Sequence, residues 1–344
     1  MQYELRQNVI EPRRQTYQAL VDRQGDRPAG RYEEGTVGIQ PTENFHYRPL
    51  WAPDREIYDE RFSRLRLSDA DAFADPRQYY YAPYVAARAT LHDGFGKTLD
   101  YVEKRDLLSR LPEGWRAVLG TVVVPLRHYE SGAQLITVAG ARLAWGAPVA
   151  QCLTYAAFDR VGLAQLLSRI GITLAGGSDE ALSAAKLRWV EGAQLQGLRR
   201  TTEELLVEED WAVGLVGLDL VDQLLYPVLY RALDEAALLG GAGAYSLLAQ
   251  HLTSWYGDHR RWLDALYAAW AGDASHGEVN RAVLAEVVHD RLPGATQAVC
   301  ALAAAVDALV GCGAEDATRS EAEAVARRFA GLGAGADGTK GSTR

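Results

Sequence analysis

Apolar residues recur at steps of three and four along most of the chain from about residue 77 onward. The clearest stripe consists of Trp115, Val118, Val122, Leu126, Tyr129, Ala133 and Ile136. A second stripe consists of Leu153, Ala157, Val161, Ala164 and Leu167. This spacing is the period of an amphipathic α-helix, whereas the alternation that marks a half-buried strand is scarce. The pattern predicts an all-α protein.

Glycine and proline residues mark the ends of further predicted helices. These helices cover residues 179–190, 196–207, 210–236, 243–271, 277–290, 295–310 and 316–330, with breaks at Gly176-Gly177, Gly240-Gly241, Gly272 and Pro293-Gly294. Three prolines, Pro83, Pro125 and Pro227, fall inside predicted helices. Because proline removes one backbone hydrogen bond and crowds the preceding turn, we expect each of them to kink its helix.

Residues 1–55 differ from the rest, since they are rich in proline and glycine and show no sustained helical period. They also contain aromatic residues, among them Phe45, Tyr47 and Trp51, which disordered segments usually lack. We therefore predict an extended arm over residues 1–55 that lies on its own body or on a partner. Residues 56–330 form the predicted helical domain, and the Gly-rich, polar residues 331–344 are predicted to be disordered.

Composition and charge narrow the class of protein. The chain has 344 residues, of which 48% are apolar and 24% charged, a balance typical of a globular protein with a large core. A net charge of -9 argues against nucleic acid or an anionic membrane as the main partner. The polar N-terminal sequence predicts no secretory signal. Three cysteines without a CxxC pair predict free thiols in a reducing cytoplasm.

The chain lacks a complete set of di-iron ligands. A carboxylate-bridged di-iron bundle requires four carboxylates and two histidines, with two Glu-x-x-His motifs facing inward from different helices. Literal matches occur at residues 43–46, between two prolines, and at residues 286–289, where the motif stands alone. Pro125–His128 has proline in the place of glutamate, and Asp258–Arg261 ends in an arginine. We predict no metal ligand, no catalytic residue and no cofactor-binding residue in this chain.

Two acidic residues, Asp219 and Asp222, share one face of the most apolar predicted helix, residues 211–230. Two acids at its centre make a membrane span costly, so the helix is predicted to be buried in the protein. The pair is open to two interpretations. The residues form paired carboxylates for acid–base chemistry, or each is paired with an arginine from a neighbouring helix. We favour the arginine pairs, because buried acids are usually compensated.

Four tyrosines cluster at positions 79–81 and 84. Consecutive residues point in different directions around a helix, so the four side chains cannot all enter one core. We expect some of them to be buried in this chain and others to contact a partner, since tyrosine suits half-wet interfaces.

Several stretches resemble the β subunit of bacterial multicomponent phenol hydroxylases, members of the soluble di-iron monooxygenase family. One is residues 31–89, and the most specific parts of the resemblance lie within it, PTENFHYRPLWAP at residues 41–53 and DPRQYYY at residues 75–81. Others are EKRDLLSRLP, LRHYESGAQ, DRVGLAQLLSRIG and YGDHRRWLDALYAAW. The resemblance runs from about residue 10 to about residue 290.

The resemblance implies a ferritin-like helical bundle and a place in a larger complex. Such hydroxylases contain α, β and γ subunits, usually as a dimer of αβγ trimers, and the α subunit houses the di-iron centre. The β subunit shares the fold but lacks the ligands. A reductase with FAD and an iron-sulfur cluster delivers electrons from NADH, and a coupling protein regulates the site. Pro125–His128, and less closely Asp258–Arg261, would then occupy former ligand positions.

The implied function is that of a non-catalytic, structural β subunit that supports the α subunit in hydroxylating phenol or a related aromatic. Three alternatives stay open. The chain has the same role in a toluene, benzene or alkene monooxygenase, it is a self-sufficient ferritin-like di-iron oxidase, or it is a helical interaction protein outside any oxygenase. The arm is expected to extend across the α subunit, and the complex to be cytoplasmic.

Overall fold

The computed structural model of this protein describes residues 18–334, with the exception of residues 26, 44, 46 and 47. All regular structure in this part of the chain is helical. The α-helices are α1 (Gln18–Gln24), α2 (Arg31–Glu34), α3 (Tyr81–Lys104), α4 (Glu113–Val118), α5 (Arg127–Leu143), α6 (Ala147–Leu174), α7 (Glu180–Glu191), α8 (Ala193–Leu206), α9 (Trp211–Pro227), α10 (Leu233–Leu239), α11 (Gly243–Gly272), α12 (Gly277–Val310) and α13 (Ala314–Ala334). The all-α prediction is confirmed.

Helix α9 is the centre of the bundle. Every side chain from Trp211 to Tyr226 is buried, and the helix packs against α5, α8, α12 and α13. Helices α5 and α6 pack along each other, and α3 and α11 also contact α6. The prediction of a buried helix over residues 211–230 is therefore confirmed.

Two helical stretches, Trp211–Leu239 and Gly277–Val310, are long and apolar enough to cross a membrane by length and composition alone. In the first, 94% of the most apolar window is buried inside the protein, as in the core helix of a soluble bundle. The second packs along α8, α9 and α13, with 39% of its window buried. Length and composition alone are weak evidence that either helix crosses a membrane.

The proline predictions succeed only in part. The predicted break at Pro293-Gly294 is wrong, because α12 continues through both residues as one helix. Its packing against three neighbouring helices offsets the single backbone hydrogen bond that Pro293 removes. Pro83 is in the first turn of α3 rather than in its interior. The amide of a first-turn residue has no acceptor within the helix, so proline costs little there.

Pro125 and Pro227 each lie beside a widened helical turn. The π-helical segment Leu119–Val123 and a short 3₁₀ segment, Val124–Leu126, precede α5. The π-helical segment Val228–Ala232 follows Pro227 at the end of α9. The hydrogen-bond spacing in these segments differs from that of an α-helix and accommodates residues that cannot donate a backbone bond. The chain therefore stays helical across both prolines.

The N-terminal arm is neither fully extended nor separate from the body. It contains α1 and α2, and the side-chain amide of Gln40 donates to the carbonyl of Ala144 at 2.8 Å. The amide of Asp75 donates to the hydroxyl of Tyr32 at 2.7 Å, and Val37 is buried. At the other end, α13 reaches Ala334, so the first residues of the predicted disordered tail are helical. Tyr47 and residues 335–344 lie outside the described residues.

Substitution of Gly294 by alanine tests the continuity of α12. A Cβ atom at Gly294 meets no atom within 4 Å, and alanine loses less backbone entropy than glycine in a helix interior. We expect Gly294→Ala to raise the free energy of unfolding by about 0.5–1 kcal/mol, measured by urea denaturation.

Gly114→Ala is the matched control, because its Cβ would lie 2.5 Å from the backbone carbonyl oxygen of Leu309. We expect it to lower the free energy of unfolding by roughly 1–3 kcal/mol. If Gly294→Ala also destabilises the protein, the chain is not helical at that position.

Candidate functional site at the centre of the bundle

Three helices direct charged side chains into the centre of the bundle. Arg160 of α6 donates through Nη1 to Oε2 of Glu130 on α5 at 2.9 Å. The same guanidinium group forms two hydrogen bonds with the carboxylate of Asp222 on α9. All three side chains are at most 3% exposed. One buried cation therefore holds two buried carboxylates from two other helices.

Tyrosine hydroxyls complete this cluster. Tyr129 donates to Oδ1 of Asp222 at 2.7 Å, and Tyr226 donates to Oε1 of Glu130 at 2.5 Å. Burial raises the pKa of both tyrosines well above the ordinary value, so they remain donors. Each carboxylate thus accepts from one guanidinium and one phenol, which satisfies most of its hydrogen-bonding capacity.

Asp159 on α6 is the centre of a second cluster. Its two oxygens accept from Nε and Nη2 of Arg88 on α3 at 2.6 and 2.7 Å. The hydroxyl of Tyr84 donates to it at 2.8 Å and the indole of Trp255 at 2.9 Å. Arg88 also reaches Asp258 on α11 at 2.8 Å. This cluster joins α3, α6 and α11.

A third cluster surrounds Asp219. Arg260 on α11 forms an ion pair with its carboxylate, and the hydroxyl of Tyr267 donates to it at 2.8 Å. Gln223 donates to the same oxygen as Tyr267, at 2.6 Å. Asp219 and Asp222 are therefore each paired with an arginine from a neighbouring helix, so the preferred interpretation is confirmed and no free acid–base pair exists at this position.

Burial dominates the electrostatics of the first cluster. It raises the pKa of Glu130 and of Asp222, and the guanidinium of Arg160 opposes this rise in both cases. Burial also lowers the pKa of His259 well below the ordinary value, and Arg160 and Arg77 act in the same direction. His259 is consequently a neutral side chain beside the ion pairs.

The donor set does not fit a di-iron centre. The buried carboxylates of α5, α6 and α9 are those of Glu130, Asp159, Asp219 and Asp222, and each is already bound by an arginine. His259 stacks on Trp255, with ring centroids 4.7 Å apart, and its Nδ1 accepts from an indole. A guanidinium cation in the middle of the carboxylates opposes a second cation there. Among the described residues, no group of three or more His, Cys, Asp or Glu is placed to hold a metal ion.

Of the two incomplete ligand motifs found in the sequence, Pro125–His128 lies outside the buried clusters and Asp258–Arg261 contributes to them. His128 is half-buried and its ring faces Trp189 of α7 at 6.2 Å, outside the central cluster. The buried carboxylate of α5 is that of Glu130, two positions after His128. Within Asp258–Arg261, by contrast, Asp258 and Arg260 both join the buried clusters.

The two literal Glu-x-x-His matches do not form a site. Glu286 and His289 are exposed on α12, and Glu286 accepts from Arg64 at 2.9 Å. Glu43 is exposed, and His46 lies outside the described residues.

Sequence reasoning missed Glu130, Arg160, Asp159 and Arg88. A signal was present, since each charge interrupts an apolar helical stripe, and Asp159 and Arg160 fall between Ala157 and Val161 of the second stripe. A charge within the core face of a helix is rare unless it is paired.

The tyrosine cluster divides as expected within this chain. Tyr84 is buried and stacks on Tyr155 with ring centroids 4.3 Å apart, whereas Tyr81 is 70% exposed. Val161, which the sequence assigns to a core stripe, is 47% exposed, so that assignment is wrong.

Comparison with known proteins places the fold and the sequence in one group. The sequence profile of the family described as Methane/Phenol/Alkene Hydroxylase matches residues 51–274. The oxygenase component DmpL of phenol 2-monooxygenase from Pseudomonas sp. (strain CF600) is 42% identical over 270 residues, 78% of this chain and 81% of that protein. The oxygenase component MhpL of phenol 2-monooxygenase from Acinetobacter pittii (strain PHEA-2) is 35% identical over 279 residues, 81% of this chain and 84% of that protein.

Solved structures agree with this grouping. A phenol hydroxylase from Pseudomonas sp. OX1 superposes with a TM-score of 0.85 and 34% identity, covering 94% of this chain and 97% of that chain. A chain of toluene 4-monooxygenase superposes with a TM-score of 0.74, covering 85% of this chain and 97% of that chain, and at 20% identity this likeness concerns the fold alone. The predicted ferritin-like helical fold is confirmed. On this evidence the chain belongs to the Methane/Phenol/Alkene Hydroxylase family.

Proposed function

We propose that this chain is a non-catalytic, structural β subunit in the hydroxylase component of an NADH-dependent di-iron aromatic monooxygenase. It supports the α subunit that hydroxylates phenol or a related aromatic. Two relatives named as oxygenase components of phenol 2-monooxygenase favour phenol over toluene, benzene or an alkene as the substrate of the complex.

One observation carries the proposal. Arg160 lies between Glu130 and Asp222 at the centre of the bundle, and its guanidinium group binds both carboxylates; a di-iron bundle likewise directs its carboxylates inward, but to metal ions. In this proposal an arginine takes the place of metal ions as the partner of the carboxylates and offsets one of their two charges, so the bundle keeps its shape without redox chemistry. The oxygen chemistry then belongs to the α subunit.

The proposed complex contains α and γ subunits with this chain, as a dimer of αβγ trimers in the cytoplasm. A coupling protein and a reductase act on it, and the reductase carries FAD and an iron-sulfur cluster and takes electrons from NADH. The di-iron centre is in the α subunit. This chain binds none of these cofactors and has no catalytic residue.

We also propose that the arm, residues 1–55, contacts the α subunit. Within its described part, Leu50 is 98% exposed and Trp51 is 53% exposed. Trp51 lines a groove of about 480 Å³ together with Leu135 and Val138 of α5. Apolar side chains beside an open groove are typical of anchor positions in an interface. Phe45 instead packs against Tyr58 of the same chain, with ring centroids 6.3 Å apart.

The first prediction concerns iron. We expect the purified chain to contain no stoichiometric iron, and His128→Ala and Glu286→Ala to leave the iron content of the assembled complex unchanged, because neither side chain reaches the centre of the bundle. Iron is measured by elemental analysis and Mössbauer spectroscopy. Two irons per isolated chain with the spectrum of a coupled cluster would contradict the proposal.

The second prediction concerns Arg160. Arg160→Met leaves two fully buried carboxyl groups without their cation, so we expect the free energy of unfolding to fall by about 3–5 kcal/mol in urea denaturation. Arg200→Met is the matched control, since Arg200 is 82% exposed and its pair with Glu204 lies on the surface. Its effect should be under about 0.5 kcal/mol. Equal effects in the two variants would show that the central ion pairs do not stabilise the fold.

The loss of unfolding free energy caused by Arg160→Met, which we call the deficit, should depend on pH. Burial raises the pKa of Glu130 and Asp222, and without Arg160 only the hydrogen bonds from Tyr226 and Tyr129 oppose that rise. Stability then falls as pH rises from the unfolded-state pKa, near 4, through the folded-state pKa, because unfolding releases protons in that window. We therefore expect the deficit to shrink when the pH is lowered from 8 to 5. A deficit that grows on acidification would rule out buried, uncompensated carboxyls as its cause.

The third prediction concerns Trp51. If it anchors the arm on the α subunit, Trp51→Ala should weaken assembly by roughly 2 kcal/mol or more, measured as the dissociation constant of the chain from α. Leu239→Ala, at an 86% exposed position on α10, is the control and should bind normally. Unchanged affinity of Trp51→Ala would show that the arm packs only on its own body.

A further inference from the structure

Among the described residues, four buried tyrosines donate their hydroxyl group to the carboxylate of another side chain. The pairs are Tyr226–Glu130, Tyr129–Asp222, Tyr84–Asp159 and Tyr267–Asp219, with oxygen–oxygen distances of 2.5, 2.7, 2.8 and 2.8 Å. Most side-chain hydrogen bonds in proteins go to the backbone or to water instead. Tyr245 has that ordinary arrangement, since its hydroxyl donates to the backbone carbonyl of Leu229. The four other phenols therefore face a base.

A carboxylate in this position can take the proton of the phenol when the phenol is oxidised. A phenol that loses an electron becomes a strong acid, so its proton must pass to a base. The base has to lie within hydrogen-bond reach, about 2.6–3.2 Å between heavy atoms, and each of the four carboxylates lies in or just below that range. Tyr226 and Glu130 are both only 2% exposed, so the proton of Tyr226 stays inside the protein.

The charge of the central cluster favours the oxidation of Tyr226. Arg160 supplies one positive charge, and Glu130 and Asp222 supply two negative charges, so the ionised cluster has a formal charge of -1. A net charge that is buried without compensation is costly. When Tyr226 loses an electron and its proton moves to Glu130, the cluster becomes neutral. Oxidation at this position therefore removes a buried charge from the core.

A row of aromatic side chains leads from Tyr226 to the outside of the bundle. The ring centroid of Trp255 lies 5.3 Å from that of Tyr226, and its indole donates to Asp159, which also accepts from Tyr84. Tyr79, which is partly exposed, lies 6.0 Å from Tyr84 between ring centroids. Both ring separations are those of aromatic side chains in contact. Phenol and indole lose electrons readily, so this row connects the core with the surface.

Arg160 favours Tyr226 over Trp255 as the place where the oxidising equivalent stays. Its guanidinium carbon lies 5.0 Å from the ring centroid of Trp255. An indole that loses an electron carries a positive charge, which the nearby guanidinium repels. The oxidised phenol of Tyr226 is neutral once its proton is on Glu130, so the same guanidinium does not repel it. Trp255 is therefore a step on the route, and Tyr226 is its end.

We propose that Tyr226 is a redox-active tyrosine that gives up one electron to a one-electron oxidant while its proton passes to Glu130. The O–H bond of Tyr226 breaks and an O–H bond forms at Oε1 of Glu130, which leaves a neutral tyrosyl radical beside a neutral carboxyl group. The electron reaches the oxidant by way of Trp255 and Tyr84, and an electron from a one-electron reductant such as ascorbate reverses the step. Resting on the function proposed above, the site takes up stray oxidising equivalents that the oxygen chemistry of the complex releases.

The test oxidises the purified full-length chain with photogenerated tris(bipyridine)ruthenium(III). The products are recorded by electron paramagnetic resonance and transient absorption. We expect a neutral tyrosyl radical that outlives the radicals of exposed tyrosines such as Tyr81, which is 70% exposed, because other radicals and solvent do not reach the core. Tyr226→Phe keeps the ring and removes the hydroxyl group, so the long-lived signal should disappear in this variant.

Tyr245→Phe is the matched control. Tyr245 is 1% exposed, and its hydroxyl donates to a backbone carbonyl, which cannot take the proton of an oxidised phenol. The control should therefore keep the long-lived signal of the wild type. If Tyr226→Phe keeps that signal too, if both variants lose it equally, or if the wild type never shows it, the assignment of a redox-active Tyr226 is wrong.

Glu130→Gln tests the base. Glutamine keeps the size of the side chain but does not take the proton, and a positioned base is typically worth ~10²–10⁴-fold in rate. We expect the long-lived radical to form about a hundredfold more slowly or not at all in this variant. Formation at the wild-type rate would show that Glu130 is not the proton acceptor and would overturn the proposal.

A measurement on the wild type decides the outcome even if a variant loses its helical circular dichroism. Because the proton moves to Glu130 inside the protein, the rate of radical formation should not change with the concentration of buffer base. A rate that rises with buffer would mean that the proton leaves for solvent, against the proposal. All of these experiments use the isolated chain, so their failure leaves the proposed function standing, and the iron analysis described above tests that function separately.

Discussion

The ion pairs between Arg160 and the carboxylates of Glu130 and Asp222 are the interaction on which the arrangement of α5, α6 and α9 depends. Removing a guanidinium and two carboxylates from water is expensive, and only close mutual contact with additional hydrogen bonds offsets the cost. Tyr129 and Tyr226 supply those bonds. Because a shift of any one helix would break several bonds at once, the cluster fixes the relative positions of the three helices as well as stabilising them.

The widened helical turns lie at the edges of this cluster. The π-helical and 3₁₀ segments from Leu119 to Leu126 end just before Tyr129 and Glu130, and the segment Val228–Ala232 begins just after Tyr226. An extra or missing residue per turn rotates the side chains that follow relative to those that precede. Two separately placed irregularities therefore let long apolar helices turn a few polar groups toward one another without losing their packing elsewhere.

The inward charges also decide the character of the outer surface. Arg88 of α3 and Asp159 of α6 join the two helices in the interior, although other charged residues of these helices, such as Asp93 and Arg169, are exposed. The outward positions are then occupied by residues such as Val85 and Val161. An ordinary amphipathic helix has the opposite arrangement.

The sequence alone determined the all-helical class, the ends of most helices and the burial of residues 211–226, because these follow from spacing within one helix. It also indicated that Asp219 and Asp222 need cations, since uncompensated acids are not stable in a core. It did not identify Arg160 and Arg260 as those cations, or Glu130 as the inward residue of α5 in place of His128. Those pairings join residues far apart in the chain and depend on how whole helices rotate and cross. For the same reason the periodicity of α6 placed Val161 in the core, whereas the tertiary structure orients that helix so that Asp159 and Arg160 are buried and Val161 faces outward.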